Sequence, residues 1–339
     1  MPFAFESRVV QKPILFMGIF FATGAVAGLG LLFIWQFLFV NLAVNTIEHR
    51  AGGYEFINPL LECESAQEGS FQGLRPKTND IENIVNKYVA EGKVTQTSVY
   101  FRDLNNGPWF GINENDTFSP ASLYKVPLAV AVLKKAEIDS KFLEKQLLFS
   151  APKMEETVQP NFKSTQKVQL GNFYSVQELL ERMLNYSDNE AMYLLSVEVG
   201  EENILKVEND LGLKLTRGSD GESSISVKAY AGIFRVLYNA SYLSKEMSDK
   251  LLRILSKSEF TAGLPAGVPN SVRVSHKFGE RGLQDFSGKI TLQLHDCGIV
   301  YKSQNPYLLC IMSKGVDFKE QLVFIDEISS TIYTNLDQK

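Results

Sequence analysis

The sequence predicts an α+β domain of the α/β sandwich type, preceded by one transmembrane helix. Two observations carry the domain. Strand-like alternation occurs at both ends of residues 79–339, and a block of helix-period segments lies between them. Such a chain closes most simply when its terminal strands share one antiparallel sheet covered by the N- and C-terminal helices. The middle helices then form an all-helical lobe, and the cleft between lobe and sheet is the expected site. The third observation is the stretch from Pro13 to Val44, which contains no charged residue.

That stretch is dense in Phe, Leu, Ile, Val, Ala and Gly. About 20 apolar residues in a helix span a bilayer core, so residues 13–44 suffice with room for tilt. A secretory signal has a shorter apolar region of roughly 7–15 residues, and no small-x-small cleavage pattern stands near Ala43. A buried core helix is the alternative. Arg8 and Lys12 precede the run, whereas Glu48, His49 and Arg50 follow it nearly balanced. The positive-inside tendency then leaves residues 1–12 in the cytoplasm and everything beyond Val44 outside. The expected location is the cell membrane, single-pass, with the lipid bilayer as partner of residues 13–44. Residues 45–78 carry Gly52, Gly53, Gly69, Gly73 and Pro76 with little periodicity and read as a linker.

Within 79–339, Ile81, Ile84, Val85, Tyr88 and Val89 fall at helical spacing over Asp80–Gly92. Thr97–Arg102 alternates as a strand and turns at Asn105-Asn106-Gly107-Pro108 into Trp109–Ile112, a hairpin. Ser119-Pro120 reads as N-cap and first-turn proline of a helix continued by the apolar run Val126–Leu133. Ser175 and Glu178 form a capping box ahead of Leu179, Leu180, Met183 and Leu184. Further helices are expected over Asn189–Val199, Glu201–Leu211, Lys228–Asn239 and Lys245–Ser256. Strands return at Val272–Lys277, Lys289–Leu294, Gly298–Lys302 and Tyr307–Ser313, and a last helix spans Lys319–Thr334.

Hydrophobic residues at 45% and charged residues at 22% are ordinary globular usage. A net charge of -5 without a basic stripe argues against a nucleic-acid surface. His49, His276 and His295 are far apart, and no Cys/His spacing suits a metal, so neither a metal nor a cofactor is expected. Cys297 and Cys310 flank a turn at Gln304-Asn305-Pro306 and are candidate strand neighbours. With Cys63 they read as free thiols, because disulfides between adjacent strands are uncommon.

Scarce histidine makes a Ser-His-Asp triad unattractive, so a nucleophile needs another base. Ser122-Leu123-Tyr124-Lys125 offers one, because a spacing of three puts both side chains on one helix face. Ser122 falls in the first turn, where free N–H groups and the dipole favour negative charge. Lys125 adjoins Val126, Leu128 and Ala129, and burial would favour its neutral, basic form. Ser150/Lys153 and Ser164/Lys167 share the spacing but open no apolar helix. Ser187-Asp188-Asn189 lies between two helices, where capping is the plain reading. His276-Lys277-Phe278-Gly279 ends a strand; Lys277 could face an anion and Gly279 could admit substrate backbone.

In this order the three motifs resemble the signature of class A β-lactamases and penicillin-binding proteins. The likeness extends to Ser119–Ala129, including Pro127, to Gly263–Val268, and to His295–Tyr301, and covers roughly Asp80 to the C-terminus. It implies a β-lactamase/transpeptidase-like fold. It further implies Ser122 as nucleophile, Lys125 as its base, Ser187 as proton relay and Lys277 as its helper. Asn189 would bind the substrate amide, and the backbone N–H groups of Ser122 and Glu280, just after Gly279, would form an oxyanion hole. Two departures stand out. The family's Glu-x-x-Leu-Asn deacylation loop is missing, leaving Asp220 and Glu222 as candidate bases, and Phe278 replaces a hydroxyl residue. The resemblance thus implies a serine hydrolase of class A β-lactamase type that takes β-lactams or D-alanyl peptides. The alternatives are a cell-wall D,D-peptidase slowly released from β-lactams, and a non-catalytic peptidoglycan-binding module.

Overall fold

The computed structural model describes residues 44–50, 53–67, 75–105, 107–153, 160–213, 216–217, 223–284 and 290–336. Two compact units emerge, Met1–Thr46 with Ser65–Phe71, and Ile47–Glu64 with Gln72–Lys339. Of the first, the described residues are only the ends of two strands, β1 (Val44–Arg50) and β2 (Leu60–Gln67), which pair in a two-stranded sheet. Among the described residues no helix is long and apolar enough to cross a membrane. The expected spanning run lies outside them except for Val44, which opens β1.

The stretch read as a linker is more structured than its glycines suggest. It contains β1, β2 and the start of α1 (Arg75–Ala90). Between the strands, Phe56 and Ile57 are buried in the domain core. Tyr301 Oη donates to the Phe56 carbonyl at 3.0 Å, Asn58 N–H donates to Tyr238 O at 2.9 Å, and Arg253 and Arg273 pair with Glu55. Two adjacent apolar residues have no periodicity, so pattern reading cannot see such a docking point.

The main sheet is built from β3 (Gln96–Asp103), β4 (Trp109–Ile112), β5 (Val274–Gln284), β6 (Ile290–Val300) and β7 (Tyr307–Gly315). Its spatial order is β5–β6–β7–β3–β4, antiparallel throughout. The N-terminal hairpin thus pairs with the last strand, as the layout predicts. One face packs Phe101, Leu309 and Ile311 under α1 and the final helix α8 (Phe318–Asn335). The other face packs Tyr100, Leu308 and Met312 against the helical lobe. With both faces covered, β7 reads as a continuous apolar run instead of alternating.

Two strand expectations need correction. Residues Lys289–Leu294 and Gly298–Lys302 fall mostly within one strand, β6, because His295, Asp296 and Cys297 are buried polar or small residues that interrupt the apolar pattern without ending the ladder. Likewise Gly279 does not end a strand; β5 continues to Gln284. The cysteines also differ from expectation. Cys297 and Cys310 are register partners and form a disulfide with Cα atoms 4.0 Å apart. Direct opposition in a narrow pair supplies the proximity that sequence spacing could only suggest.

The lobe is built on α2 (Lys125–Ile138), whose residues from Lys125 to Leu133 are all buried, as expected of a helix enclosed on every side. Around it lie α3 (Val176–Asn185), α4 (Asn189–Val199), α5 (Glu201–Asp210), α6 (Val227–Tyr238) and α7 (Lys245–Leu255). The Ser175/Glu178 capping box is present at the start of α3.

Candidate active site

Ser122 is placed differently from the helix start that Ser119-Pro120 suggests. A short strand (Thr117–Phe118) leads into a 3₁₀ turn over Ala121–Tyr124, and α2 begins only at Lys125. Ser119 makes no cap; its Oγ accepts from Arg281 at 2.9 Å. Ala121 takes a left-handed φ of 48°, which bends the chain just before Ser122. The late helix start also explains Pro127. It sits in the first turn of α2, where its missing N–H would have no intrahelical partner anyway.

Buried groups hold this turn in place. Tyr230 Oη, fully enclosed, donates to the Leu123 carbonyl at 2.9 Å. Burial pushes the His295 imidazole down to about 4, so near neutrality it is uncharged. It accepts Ser313 N–H at Nδ1 (3.3 Å) and therefore donates from Nε2 to the Ser119 carbonyl (3.0 Å). Gly279 presses on the same turn, since a Cβ there would lie 3.1 Å from Leu123 N and 3.2 Å from Pro120 O. Its missing side chain admits the Ser122 turn, where the sequence suggested substrate.

Lys125 is buried, and its ammonium reaches Ser122 Oγ at 3.0 Å, Ser187 Oγ at 2.9 Å, Ser187 O at 2.6 Å and Asn189 Oδ1 at 2.7 Å. The Ser-Asp-Asn segment is shaped for this. Ser187 adopts a left-handed φ of 54°, and Asp188 caps α4 by accepting from Glu190 and Ala191 N–H. The other Asp188 oxygen accepts Val168 N–H at 2.8 Å. The capping reading therefore holds for Asp188, while Ser187 and Asn189 turn toward Lys125.

Lys277 completes the row, donating to Ser187 Oγ at 3.1 Å and to Phe278 O at 2.8 Å. Burial first, and then the charge of Lys125, hold its ammonium well below the usual lysine range. The Phe278 ring centroid lies 4.0 Å from Lys277 Nζ, so an aromatic face replaces the absent hydroxyl.

The backbone of β5 is oriented by the ladder. At a 4.0 Å Cα separation Cys297 and Cys310 form a non-hydrogen-bonded pair, so Cys297 turns its N–H and C=O toward Lys277 on β5. Alternation then aims the N–H and C=O of Phe278 and Glu280 off the outer edge of the sheet. The Glu280 carboxylate accepts Asn161 N–H at 3.1 Å and Phe162 N–H at 3.0 Å, while burial pushes its carboxyl up. Ser122, Lys125, Ser187, Asn189 and Glu280 line one cleft of about 1100 Å³.

Asp220 and Glu222 lie outside the described residues. Ser150 is exposed, and Ser164 Oγ donates to Gln166 O at 3.1 Å. Among the described residues no His/Cys/Asp/Glu cluster suits a metal ion. Sequence reading missed the turn-holders Tyr230 and His295, and also Asp296. The Asp296 carboxylate accepts Leu264 N–H at 2.8 Å and bonds His276 Nδ1 at 2.8 Å, all in the buried interior. Nothing in their spacing marks them, since each acts across different elements.

A family model described as the beta-lactamase enzyme family matches residues 76–336. The chain belongs to that family. Among solved structures, PBP-A superposes with a TM-score of 0.64 at 21% identity, covering 77% of this chain and 97% of PBP-A. A beta lactamase from Xanthomonas campestris gives 0.66 at 20% identity, with 77% and 98% covered. The TLA-3 extended-spectrum beta-lactamase gives 0.65 at 20%, with 76% and 99% covered. At these identities the likeness shows the shared serine-hydrolase fold of the class A and penicillin-binding type. A search of curated proteins finds no match.

Proposed function

We propose that the chain is a membrane-anchored serine hydrolase that forms an acyl-enzyme at Ser122 with β-lactams or D-alanyl peptides and then hydrolyses it. One observation carries this reading: Lys125 Nζ stands within 3.0 Å of Ser122 Oγ and 2.9 Å of Ser187 Oγ, with Lys277 3.1 Å beyond. With Lys125 as the amine, Ser122 Oγ attacks the substrate carbonyl and its proton passes to Nζ. The carbonyl oxygen takes the negative charge between Ser122 N–H and the outward-facing Glu280 N–H. The C–N bond then breaks as Ser187 Oγ gives its proton to the leaving nitrogen and is reprotonated from Lys125. Lys277, donating to Ser187 Oγ at 3.1 Å, orients that hydroxyl for the transfer.

Water must finally cleave the ester, and that step wants a general base. Among the described residues lining the cleft, the carboxylates are Asp188, Glu190 and Glu280, and each already accepts backbone N–H groups. This favours a long-lived acyl-enzyme, and with it the second reading, a D,D-peptidase for which β-lactams are slow substrates. A mutant of PBP-A is known as its acyl-enzyme complex with penicillin G. The extracytoplasmic placement is supported by the uncharged run at 13–44 and by the Cys297–Cys310 disulfide, since such bonds persist in oxidising compartments.

The test is mass spectrometry of the penicillin-treated protein together with rapid-mixing kinetics on a chromogenic cephalosporin. The adduct is expected on the peptide holding Ser122, with a burst of about one equivalent before a phase slower by roughly two to four orders of magnitude. An adduct elsewhere, or fast turnover without a burst, would overturn the assignment.

A further inference from the structure

A second cavity, of about 820 Å³, shares no described lining residue with the cleft that holds Ser122. It occupies the wedge between α4 and α5, which part at Gly200, where a φ of 86° turns the chain from one helix into the next. Its inner wall is Tyr124, the residue between Leu123 and Lys125. From α5 it takes Glu201, Ile204, Leu205 and Glu208, so one stripe of that helix faces the cavity. A stripe at this spacing is ordinarily packed apolar surface. Here a carboxylate stands at each end, roughly 10 Å apart along the helix axis. Between them Leu205 is left 40% exposed, and across the wedge on α4 Val197 is 64% exposed. Glu208 belongs to the wall itself, with only 8% of its surface exposed. Among the described residues lining the cavity there is no lysine, arginine or histidine.

We propose that this cavity is a binding site for a small amphipathic amine, an apolar body carrying one ammonium group. The ammonium sits at the Glu208 carboxylate and the body covers Leu205 and Val197. The argument is one of complementarity. Apolar side chains left open in a concave surface gain from being covered. Two carboxylates with no cation beside them favour a positive ligand over a neutral or anionic one. Of the two, Glu208 matters more, because its contact is enclosed and poorly screened, whereas exposed Glu201 is screened by water. Penicillins are anions and do not suit this site. The inference therefore goes beyond the acyl-enzyme reading and does not depend on it.

Two probes with the same body separate charge from burial: n-hexylammonium and n-hexanol, titrated calorimetrically into the full chain at low ionic strength. The amine should bind about tenfold more tightly than the alcohol, the scale of a hydrogen bond to a charged group. Glu208→Gln keeps the shape and removes the charge; it should weaken the amine by about tenfold and leave the alcohol within about twofold. Glu201→Gln should cost the amine no more than about twofold. Val197→Ser trims an exposed side chain and should weaken both probes by roughly threefold. If Glu208→Gln does not fold, that loss fixes the place and the preference for amine over alcohol tests the charge. Equal affinity for the two probes, or an amine held as tightly by folded Glu208→Gln as by the parent, would overturn the proposal. A loss confined to Glu190→Gln would put the amine in the Ser122 cleft instead, and would overturn it too.

Discussion

The Ser122 turn and the segment at 160–168 border the same cleft but are held by opposite means. The turn is fixed by groups buried in the interior: Tyr230 on Leu123 O, neutral His295 on Ser119 O, and the bare Cα of Gly279. The segment at 160–168 is held nearer the solvent by two half-buried carboxylates, Glu280 and Glu259, accepting backbone N–H groups. Interior contacts are costly to break, because a buried polar group left unpaired loses about 1–3 kcal/mol. Surface contacts trade readily with water. One cleft is therefore bordered by a stiffly held turn on one side and a more lightly fastened segment on the other.

The sharpest way to break this comparison is at its stiff side. Lys125→Ala removes the group touching Ser122, Ser187 and Asn189, and acylation by penicillin should slow by about 10²–10⁴, the usual order of magnitude for a positioned base. Rates within a few-fold of the parent, measured by stopped-flow, would show that another group activates Ser122.

A second test reads stiffness through pH. An unfolded histidine takes up a proton near pH 6.5, whereas buried His295 holds off to about 4. Between those values the unfolded chain binds more protons, so stability falls as pH drops through the window and is unaffected by this group above it. The loss should be on the order of 3 kcal/mol by pH 4. Denaturant unfolding at several pH values checks this, and in His295→Gln, which can still donate toward Ser119, that share of the slope should vanish. An unchanged slope would mean His295 is not the buried neutral group described.

The smallest effect belongs to the segment at 160–168. Thr165→Val removes an exposed side-chain bond to Glu259 and should cost less than about 1 kcal/mol by thermal unfolding. A loss as large as that from an interior contact would erase the contrast between the two regions.

Much of the architecture was legible because it rests on local pattern. The helical period of α3 and α7, the capping box at Ser175, and the strand ends of residues 79–339 each follow from side-chain spacing. The three motifs were likewise readable, since Ser122 and Lys125 are three apart and Ser187 with Asn189 opens a helix. Where the pattern was polar or too short, reading stopped. The run of buried polar residues inside β6 looked like a break, and Phe56-Ile57 had no period to betray its docking.

By itself, then, the sequence determined which residues make up the candidate site and which segments are helix or strand, because both are matters of residue type and near spacing. Only the tertiary structure decided how those residues meet. It moved the start of α2 from Ser119 to Lys125, gave Gly279 to the Ser122 turn, joined Cys297 to Cys310, and carried Phe162 across to Glu280. Each of those is a contact between elements far apart along the chain, fixed by the packing of two cores on one sheet and by the pleat of its strands.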